Sequence, residues 1–186
     1  MRTRLLGISL FFSLLLSVQA QDPTIRLKTT LGDIDVTLLQ SVAPNTVNNF
    51  LKYMNRGAFN NTMFHRSVRG FIIQTGGWTY NSQFIKIPAD APVRNEYQIS
   101  NTRGTLAMAR TSDPHSASAQ FFINTSDNDF LNHSAPTQQG WGYCVFGKVT
   151  AGTEVVDKIG KVRTGSSGFH QDVPQEDVVI RKAEVV

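Results

Sequence analysis

The chain has 186 residues, and its 18 Lys and Arg against 14 Asp and Glu give a formal net charge of +4. No run of basic residues is present, which argues against the electrostatic footprint of a nucleic-acid-binding protein. The single cysteine, Cys144, cannot form an internal disulfide, so the fold must depend on an apolar core. A chain of this length is long enough to form one domain with such a core.

The first twenty residues have the pattern of a secretory signal peptide. Arg2 and Arg4 precede an apolar run over 5–18, and Val18-Gln19-Ala20 forms a small-x-small cleavage site. The run of about 14 residues is shorter than the roughly 20 that a membrane-spanning helix needs, although an uncleaved anchor is the alternative. Cleavage would leave 16 basic and 14 acidic residues, a net charge of +2. We predict that 21–186 forms one domain with no stable membrane insertion.

Short strands and two helices are predicted along the mature chain. Runs rich in β-branched and aromatic residues predict strands at 24–28, 33–38, 63–66, 71–74, 104–108, 120–124, 143–149 and 178–184. Apolar residues at helical spacing predict helices over 43–54 and 153–159, which Gly57 and Gly160 terminate. The glycine-rich stretch 163–168 is predicted to be a loop. This pattern favours a closed or nearly closed antiparallel barrel with helices at its ends.

Sequence patterns for nucleophilic, metal or phosphate chemistry are absent. The histidines are scattered without ligand spacing, at His65, His115, His133 and His170. There is no Gly-x-Ser-x-Gly elbow, and Gly76-Gly77 lacks the spacing of a phosphate loop. The sequence therefore predicts no metal and no cofactor.

The stretch 64–77 places an arginine among aromatic and branched apolar residues. Its alternation fits two short strands that fold back on each other. Phe64 and Arg66 would share one face, and Phe71, Ile73 and Thr75 would share another, with Ile72 and Gln74 opposite. A charge in an apolar strand is costly unless it is paired or solvated at the rim of a cleft. Arg66 is therefore the first candidate for a functional role.

A second aromatic cluster follows later in the chain. Phe121 and Phe122 are adjacent, so on a strand one should face the core and the other a different environment. The residues alone predict an apolar cleft with one positive donor. The candidate set is Arg66, Phe71, Ile72, Gln74, Phe121, Phe122, Phe130, Leu131 and Tyr143.

Four blocks, in order and spacing, carry a family resemblance. They are Phe64-His65-Arg66 with Gly70-Phe71-Ile72-Ile73-Gln74 and Gly76-Gly77, then 101–110, Ser118-Ala119-Gln120-Phe121-Phe122-Ile123-Asn124 and Val145-Phe146-Gly147-Lys148-Val149. Together they closely resemble the cyclophilin family of peptidyl-prolyl isomerases over about residues 24–185. The short acidic loop at 127–131 and the export signal are most similar to the periplasmic bacterial branch.

The resemblance implies an eight-stranded antiparallel closed β-barrel capped by two α-helices, with the active cleft on its outer surface. It also implies that Arg66 is the catalytic residue. The implied substrate-binding residues are Phe71, Ile72, Gln74, Ala109, Arg110, Thr111, Gln120, Phe122, Phe130, Leu131 and Tyr143. Tyr143 stands where many members have histidine, and Arg69 replaces a common proline. Phe130 stands where many eukaryotic members have tryptophan, so cyclosporin binding should be weak.

The implied function is rotation about X–Pro peptide bonds, which assists the folding of exported proteins. The expected partners are proline-containing peptides and unfolded exported proteins, and the expected state is a monomer. The expected location is the periplasm, with full secretion as the lesser possibility. Two alternatives from other classes remain: a proline-peptide binding or chaperone module with negligible turnover, and a secreted effector acting on host proteins.

Overall fold

The computed structural model describes residues 22–80 and 85–186, so the predicted signal peptide lies outside the described residues. The strands are β1 (Thr24–Thr29), β2 (Gly32–Leu38), β3 (Thr62–Met63), β4 (Arg66–Val68), β5 (Ile72–Thr75), β6 (Trp78–Thr79), β7 (Ile85–Lys86), β8 (Thr105–Met108), β9 (Phe121–Asn124), β10 (Val145–Ala151), β11 (Thr164–Ser167), β12 (His170–Pro174) and β13 (Val179–Val185). The helices are α1 (Pro44–Asn55) and α2 (Thr153–Ile159), with a 3-10 turn at Asp129–Leu131. In these two ranges no helix is long and apolar enough to cross a bilayer.

One curled antiparallel sheet dominates the fold. Its eleven strands follow the order β4-β5-β9-β8-β10-β2-β1-β13-β3-β6-β7, and β11 pairs with β12 in a separate hairpin. The predicted eight-stranded closed barrel is therefore wrong in strand number and in closure, because the order of paired strands among the described residues ends at β4 and β7. The predicted strand at 63–66 is interrupted at Phe64 and His65, which separate β3 from β4. These two strands are not paired with each other in the sheet.

Local patterns predicted most elements within a few residues. Each of the eight predicted strands overlaps an observed strand, and α2 has the predicted bounds. The predicted loop at 163–168 is wrong, because Thr164–Ser167 is strand β11. Its Thr-Gly-Ser-Ser sequence has no apolar alternation, and it pairs only with β12 among the described strands. The short strands β6 and β7 were missed for a similar reason, since two residues cannot show a period.

Aromatic rings fill the interior of the curled sheet beneath α1. The ring of Phe50 on α1 lies 4.8 Å from Phe59 and 5.2 Å from both Phe121 and Phe146, measured between centroids. A second, smaller cluster lies apart from this core and contains Ile72, Ala107, Phe122, Leu131 and Val145. Strands β5, β8 and β9 therefore bury residues on both faces, which explains their nearly continuous apolar sequences.

A distant carboxylate caps the start of α1. Ala43 at the N-cap offers no capping side chain. Instead, Glu96 Oε1 accepts a hydrogen bond from the Asn45 N–H at 3.2 Å, and Glu96 Oε2 accepts from the Thr46 N–H and hydroxyl, both at 2.8 Å. A carboxylate in this position satisfies free N–H groups and opposes the positive end of the helix dipole. Glu96 thereby ties the long segment before β8 to the helix that covers the core.

Replacing Glu96 with alanine should lower the free energy of unfolding by about 1–2 kcal/mol, the usual value of a helix N-cap. Urea denaturation of the wild type and the variant measures this difference. Glu176→Ala is the matched control, since Glu176 is exposed, and its effect should stay below about 0.5 kcal/mol. Equal effects of the two substitutions would refute the capping role.

Candidate active site

The hairpin of β4 and β5 places Arg66 opposite Gln74. The turn between the strands contains Gly70 at φ +69°, a left-handed conformation that glycine adopts without strain. The pair Ser67 and Ile73 is buried, so the neighbouring pair of Arg66 and Gln74 projects from the opposite face of the hairpin. The sheet thus displays a cation and an amide side by side on its outer surface.

The predicted grouping of Phe64 with Arg66 is wrong. Phe64 is fully buried in the main core, whereas the Arg66 side chain is 41% exposed. Phe64 lies in the break between β3 and β4, so the alternation of a continuous strand does not relate it to Arg66. The predicted grouping of Ile72 with Gln74 is confirmed, because both residues line one cleft. The predicted grouping of Phe71 with Ile73 and Thr75 is wrong, because Phe71 lines that same cleft, whereas Ile73 and Thr75 are fully buried. Phe71 precedes the first residue of β5, so the alternation of the strand does not apply to it.

That cleft has a volume of about 240 Å³ and lies over the smaller apolar cluster. Its lining residues are Arg66, Phe71, Ile72, Gln74, Ala109, Arg110, Phe122, Leu131 and Tyr143. The rings of Phe122 and Tyr143 meet edge to face with centroids 5.6 Å apart. The guanidinium carbon of Arg110 lies 4.7 Å from the centroid of the Tyr143 ring. The site can therefore hold a small apolar ring with the Arg66 cation at its border.

Two further depressions adjoin the cleft. Gln74 donates a hydrogen bond from Nε2 to Gln120 Oε1 at 3.0 Å, and both residues also line a polar groove of about 210 Å³. That groove continues past Ala109 to Thr111 and Ser116. A second depression, of about 420 Å³, is bounded by Arg66 together with His65, Trp78, Phe169, His170 and Asp172. The apolar cleft is therefore continuous with two further depressions, one of which Arg66 also borders.

Nothing in the described ranges resembles a metal centre, since no three His, Cys, Asp or Glu side chains are grouped to hold an ion. The family comparison identifies the chemistry that this arrangement serves. The family model for cyclophilin-type peptidyl-prolyl cis-trans isomerases matches residues 24–185. The chain belongs to the cyclophilin family.

Named isomerases of this family are similar to the chain over most of their length. Peptidyl-prolyl cis-trans isomerase B of Escherichia coli is 54% identical over 156 residues, which cover 83% of this chain and 94% of the relative. A peptidyl-prolyl cis-trans isomerase of Streptomyces antibioticus is 50% identical over 165 residues, covering 88% and 98% of the two chains. The chain is accordingly an enzyme of the peptidyl-prolyl cis-trans isomerase class.

Solved structures show the same fold. A cyclophilin-type isomerase of Cryptosporidium parvum, crystallised in the presence of the dipeptide Ala-Pro, superposes with a TM-score of 0.72 at 25% identity. The match covers 88% of this chain and 98% of the other. The curled sheet with two helices is thus a cyclophilin fold.

The cyclophilin cleft brings together nine of the twelve predicted site residues. Thr111 and Gln120 lie in the adjoining polar groove instead. Phe130 is 74% exposed and does not line the cleft, although its ring packs on Phe71 with centroids 5.4 Å apart. The structure therefore places Phe130 beside the cleft residue Phe71, with most of its ring exposed.

A buried asparagine network behind the cleft was missed from the sequence. Asn128 Nδ2 donates to Asn124 Oδ1 at 2.7 Å and to the Phe71 carbonyl at 3.0 Å. Asn101 Nδ2 donates to the Leu131 carbonyl at 3.2 Å. The network fixes the backbone of two cleft residues. An asparagine at the end of the apolar strand β9 was the available signal, because a buried amide requires partners.

His65 is buried beside Arg66 and responds to pH. The residue is 5% exposed, and this burial, together with the electrostatic influence of His170 and Arg66, lowers the pKa of His65 to about 4. In the unfolded chain a histidine has a pKa near 6.5. Below that pH the unfolded state takes up the proton first, so folding stability falls as the pH drops from 6.5 and the loss levels off below about 4.

We expect protonation of His65 to cost about 3 kcal/mol of stability by pH 4. Urea unfolding of the wild type and His65→Gln at pH 8, 7, 5 and 4 measures this. The difference in free energy of unfolding between the two proteins should be constant from pH 8 to 7. Below pH 7 the wild type should lose stability relative to the variant. Parallel pH profiles down to pH 4 would show that the histidine is not the cause.

Proposed function

We propose that this cyclophilin rotates X–Pro bonds without covalent chemistry and that Arg66 stabilises the twisted transition state. Amide resonance imposes a barrier of about 18–20 kcal/mol, and uncatalysed exchange takes roughly tens to hundreds of seconds. Because no bond breaks, the reaction needs neither a nucleophile nor a metal. The observation that carries the proposal is a permanent cation at the border of an apolar cleft sized for a small ring.

The proposed role of Arg66 follows from what changes during rotation. In the twisted state resonance is lost, and the prolyl nitrogen becomes pyramidal with a lone pair. A guanidinium beside that nitrogen stabilises the twisted state more than the planar amide, and only such a difference accelerates the reaction. Arginine suits the task because it stays charged at all physiological pH values and presents several donors in a fixed geometry.

The remaining predicted residues divide between the two sides of the bond. The apolar wall formed by Phe71, Ile72, Phe122, Leu131 and Tyr143 would hold the proline ring. The polar side chains of Gln74 and Gln120 and the backbone of Ala109, Arg110 and Thr111 would hold the residues before proline. Because the two sides of the bond would be bound at separate places, one side could rotate relative to the other. The adjacency of the apolar cleft and the polar groove supports this division.

The assay that tests the activity measures cis/trans exchange of an Ala-Pro peptide, either by protease coupling or by NMR. The wild-type protein should accelerate exchange at catalytic concentration. Binding of the peptide without acceleration would instead identify a proline-peptide binding module.

We propose further that residues 1–20 direct export to the periplasm, where the enzyme assists the folding of exported proteins as a monomer. Burial raises the pKa of the Cys144 thiol, which keeps it protonated and protects it from forming intermolecular disulfides in an oxidising compartment. Fractionation of cells tests the location. A mature chain beginning at Gln21 in the periplasm is expected, whereas a full-length cytoplasmic protein would refute export, and accumulation in the medium would support secretion.

Phe130 supports a proposal about inhibitor binding. The exposed ring on Phe71 offers an apolar surface, but it has no indole N–H to donate a hydrogen bond. We therefore propose that cyclosporin binds this protein weakly.

A further inference from the structure

The hairpin of β11 and β12 brings a carboxylate to Arg66. Asp172 Oδ2 lies 3.7 Å from Arg66 Nε, and the two side chains are 42% and 41% exposed. Asp172 borders the 420 Å³ depression and is absent from the lining of the apolar cleft, so it meets Arg66 outside the proposed proline site. No predicted site residue lies on this hairpin.

The backbone of β12 is bent where Asp172 occurs. Between the pairs Ser167–His170 and Gly165–Val173, strand β12 contains one residue more than β11. The extra residue forms a bulge, and bulges beside active sites commonly re-aim a side chain. Asp172 itself has φ +58°, a value that only Asn61 approaches among the other non-glycine residues of the described ranges.

This left-handed conformation is unfavourable for a residue with a Cβ atom, and it persists only where the surroundings enforce it. Here the neighbouring Val173 is buried, and the Gln175 N–H donates to the Arg163 carbonyl at 2.8 Å just beyond the bulge. Aspartate and asparagine tolerate the left-handed region best among non-glycine residues. The strain and the ion pair thus fall on the same residue, and strained backbone is concentrated at functional sites.

We propose that Asp172 is a positioning residue that holds the Arg66 guanidinium by its Nε edge, so that the Nη donors are directed to the proline cleft. This inference rests on the proposed role of Arg66. A long arginine side chain that is 41% exposed samples many rotamers, and an ion pair with a carboxylate on one edge reduces that freedom. Gln74 is paired with Arg66 across the hairpin, and both residues line the cleft as well as the depression that Asp172 borders.

Removal of the carboxylate distinguishes positioning from simple charge compensation. A negative charge beside Arg66 also weakens the field of the cation at the substrate. If Asp172 only compensates charge, its neutralisation should raise kcat. If it positions Arg66, neutralisation should lower kcat, because a displaced donor no longer meets the transition state.

The test uses Asp172→Asn, which keeps the shape and tolerates the left-handed backbone, and Asp172→Gly, which relieves the backbone and removes the side chain. For an Ala-Pro peptide we expect kcat to fall about three- to tenfold in both variants with KM nearly unchanged. Asp157→Asn is the matched control, since it removes a surface carboxylate paired with Arg103 at 2.6 Å outside the cleft. That control should have wild-type kcat.

A double variant tests whether Asp172 acts through Arg66. In an Arg66→Ala background, Asp172→Asn should cause no further loss of kcat, because coupled residues are not additive. An unchanged or higher kcat in the single Asp172→Asn variant overturns the inference, and so does an equal fold-loss in both backgrounds. Wild-type activity of Arg66→Ala alone would instead contradict the proposed function. Thermal midpoints show whether each variant is folded. If Asp172→Asn is unfolded, Asp172→Gly provides the measurement.

Discussion

Replacement of Arg66 by alanine should lower kcat/KM for an Ala-Pro peptide by about 10²- to 10³-fold, the usual cost of removing one donor that meets the transition state. The fold should survive, because the Arg66 side chain is 41% exposed and contributes little packing. A protease-coupled assay measures the loss, and circular dichroism with a thermal melt verifies the fold.

Arg69 offers a matched control on the same hairpin. Its guanidinium donates to the Lys161 carbonyl at 3.1 Å and does not line the cleft, so Arg69→Ala should change kcat/KM less than about twofold. Arg66→Lys should give an intermediate activity, because lysine retains the charge but loses the planar set of donors. Similar losses at Arg66 and Arg69 would mean that the effect comes from the net charge of the surface.

Replacement of the adjacent residues Phe121 and Phe122 by alanine should have different effects, the first mainly on stability and the second mainly on kcat/KM. Phe121 is fully buried in the main core, with Phe50 and Phe59 at 5.2 and 5.4 Å between ring centroids. Phe122 faces the cleft and packs against Tyr143. Alternation along β9 thus places one ring in the core and the other on the cleft.

Phe121→Ala should lower the free energy of unfolding by about 3–5 kcal/mol, since it leaves a closed cavity in the core. Phe122→Ala should cost less stability, because water can enter the open cleft, but it should lower kcat/KM about tenfold or more through a raised KM. Urea unfolding and the isomerase assay separate the two effects. If the alanine variant is unstable, Phe122→Leu can replace it in the assay, because leucine removes the ring but keeps an apolar side chain of similar bulk. Normal KM in a folded Phe122 variant would remove this ring from the proline pocket.

The parts of the fold that local sequence patterns determine were predicted well. Helix α2 has the predicted bounds, and β9 was predicted within one residue, because its apolar run ends at a polar residue. The opposite orientation of Phe121 and Phe122 also followed from the two-residue period of a strand. Arg66 stood out from the sequence because a charge within an apolar strand requires an explanation.

Other features depend on contacts between distant segments and could not be predicted locally. The break at Phe64 and His65 interrupts the predicted strand, so Phe64 is buried in the core and does not share a face with Arg66. The bulge at Asp172 lies in a hairpin whose two short strands show no apolar period in the sequence. The family resemblance named the cleft residues but not this carboxylate, since its approach to Arg66 depends on how the hairpin folds back.

The rate of bond rotation on bound peptide tests the central claim most directly. NMR exchange spectroscopy with an Ala-Pro peptide at saturating concentration separates binding from catalysis. Wild-type protein should produce strong cis/trans exchange peaks. Arg66→Ala should still bind, as seen by shifts of cleft resonances, but its exchange should be about 10²-fold slower or more. Equal exchange rates with both proteins on fully bound peptide would contradict the role assigned to Arg66.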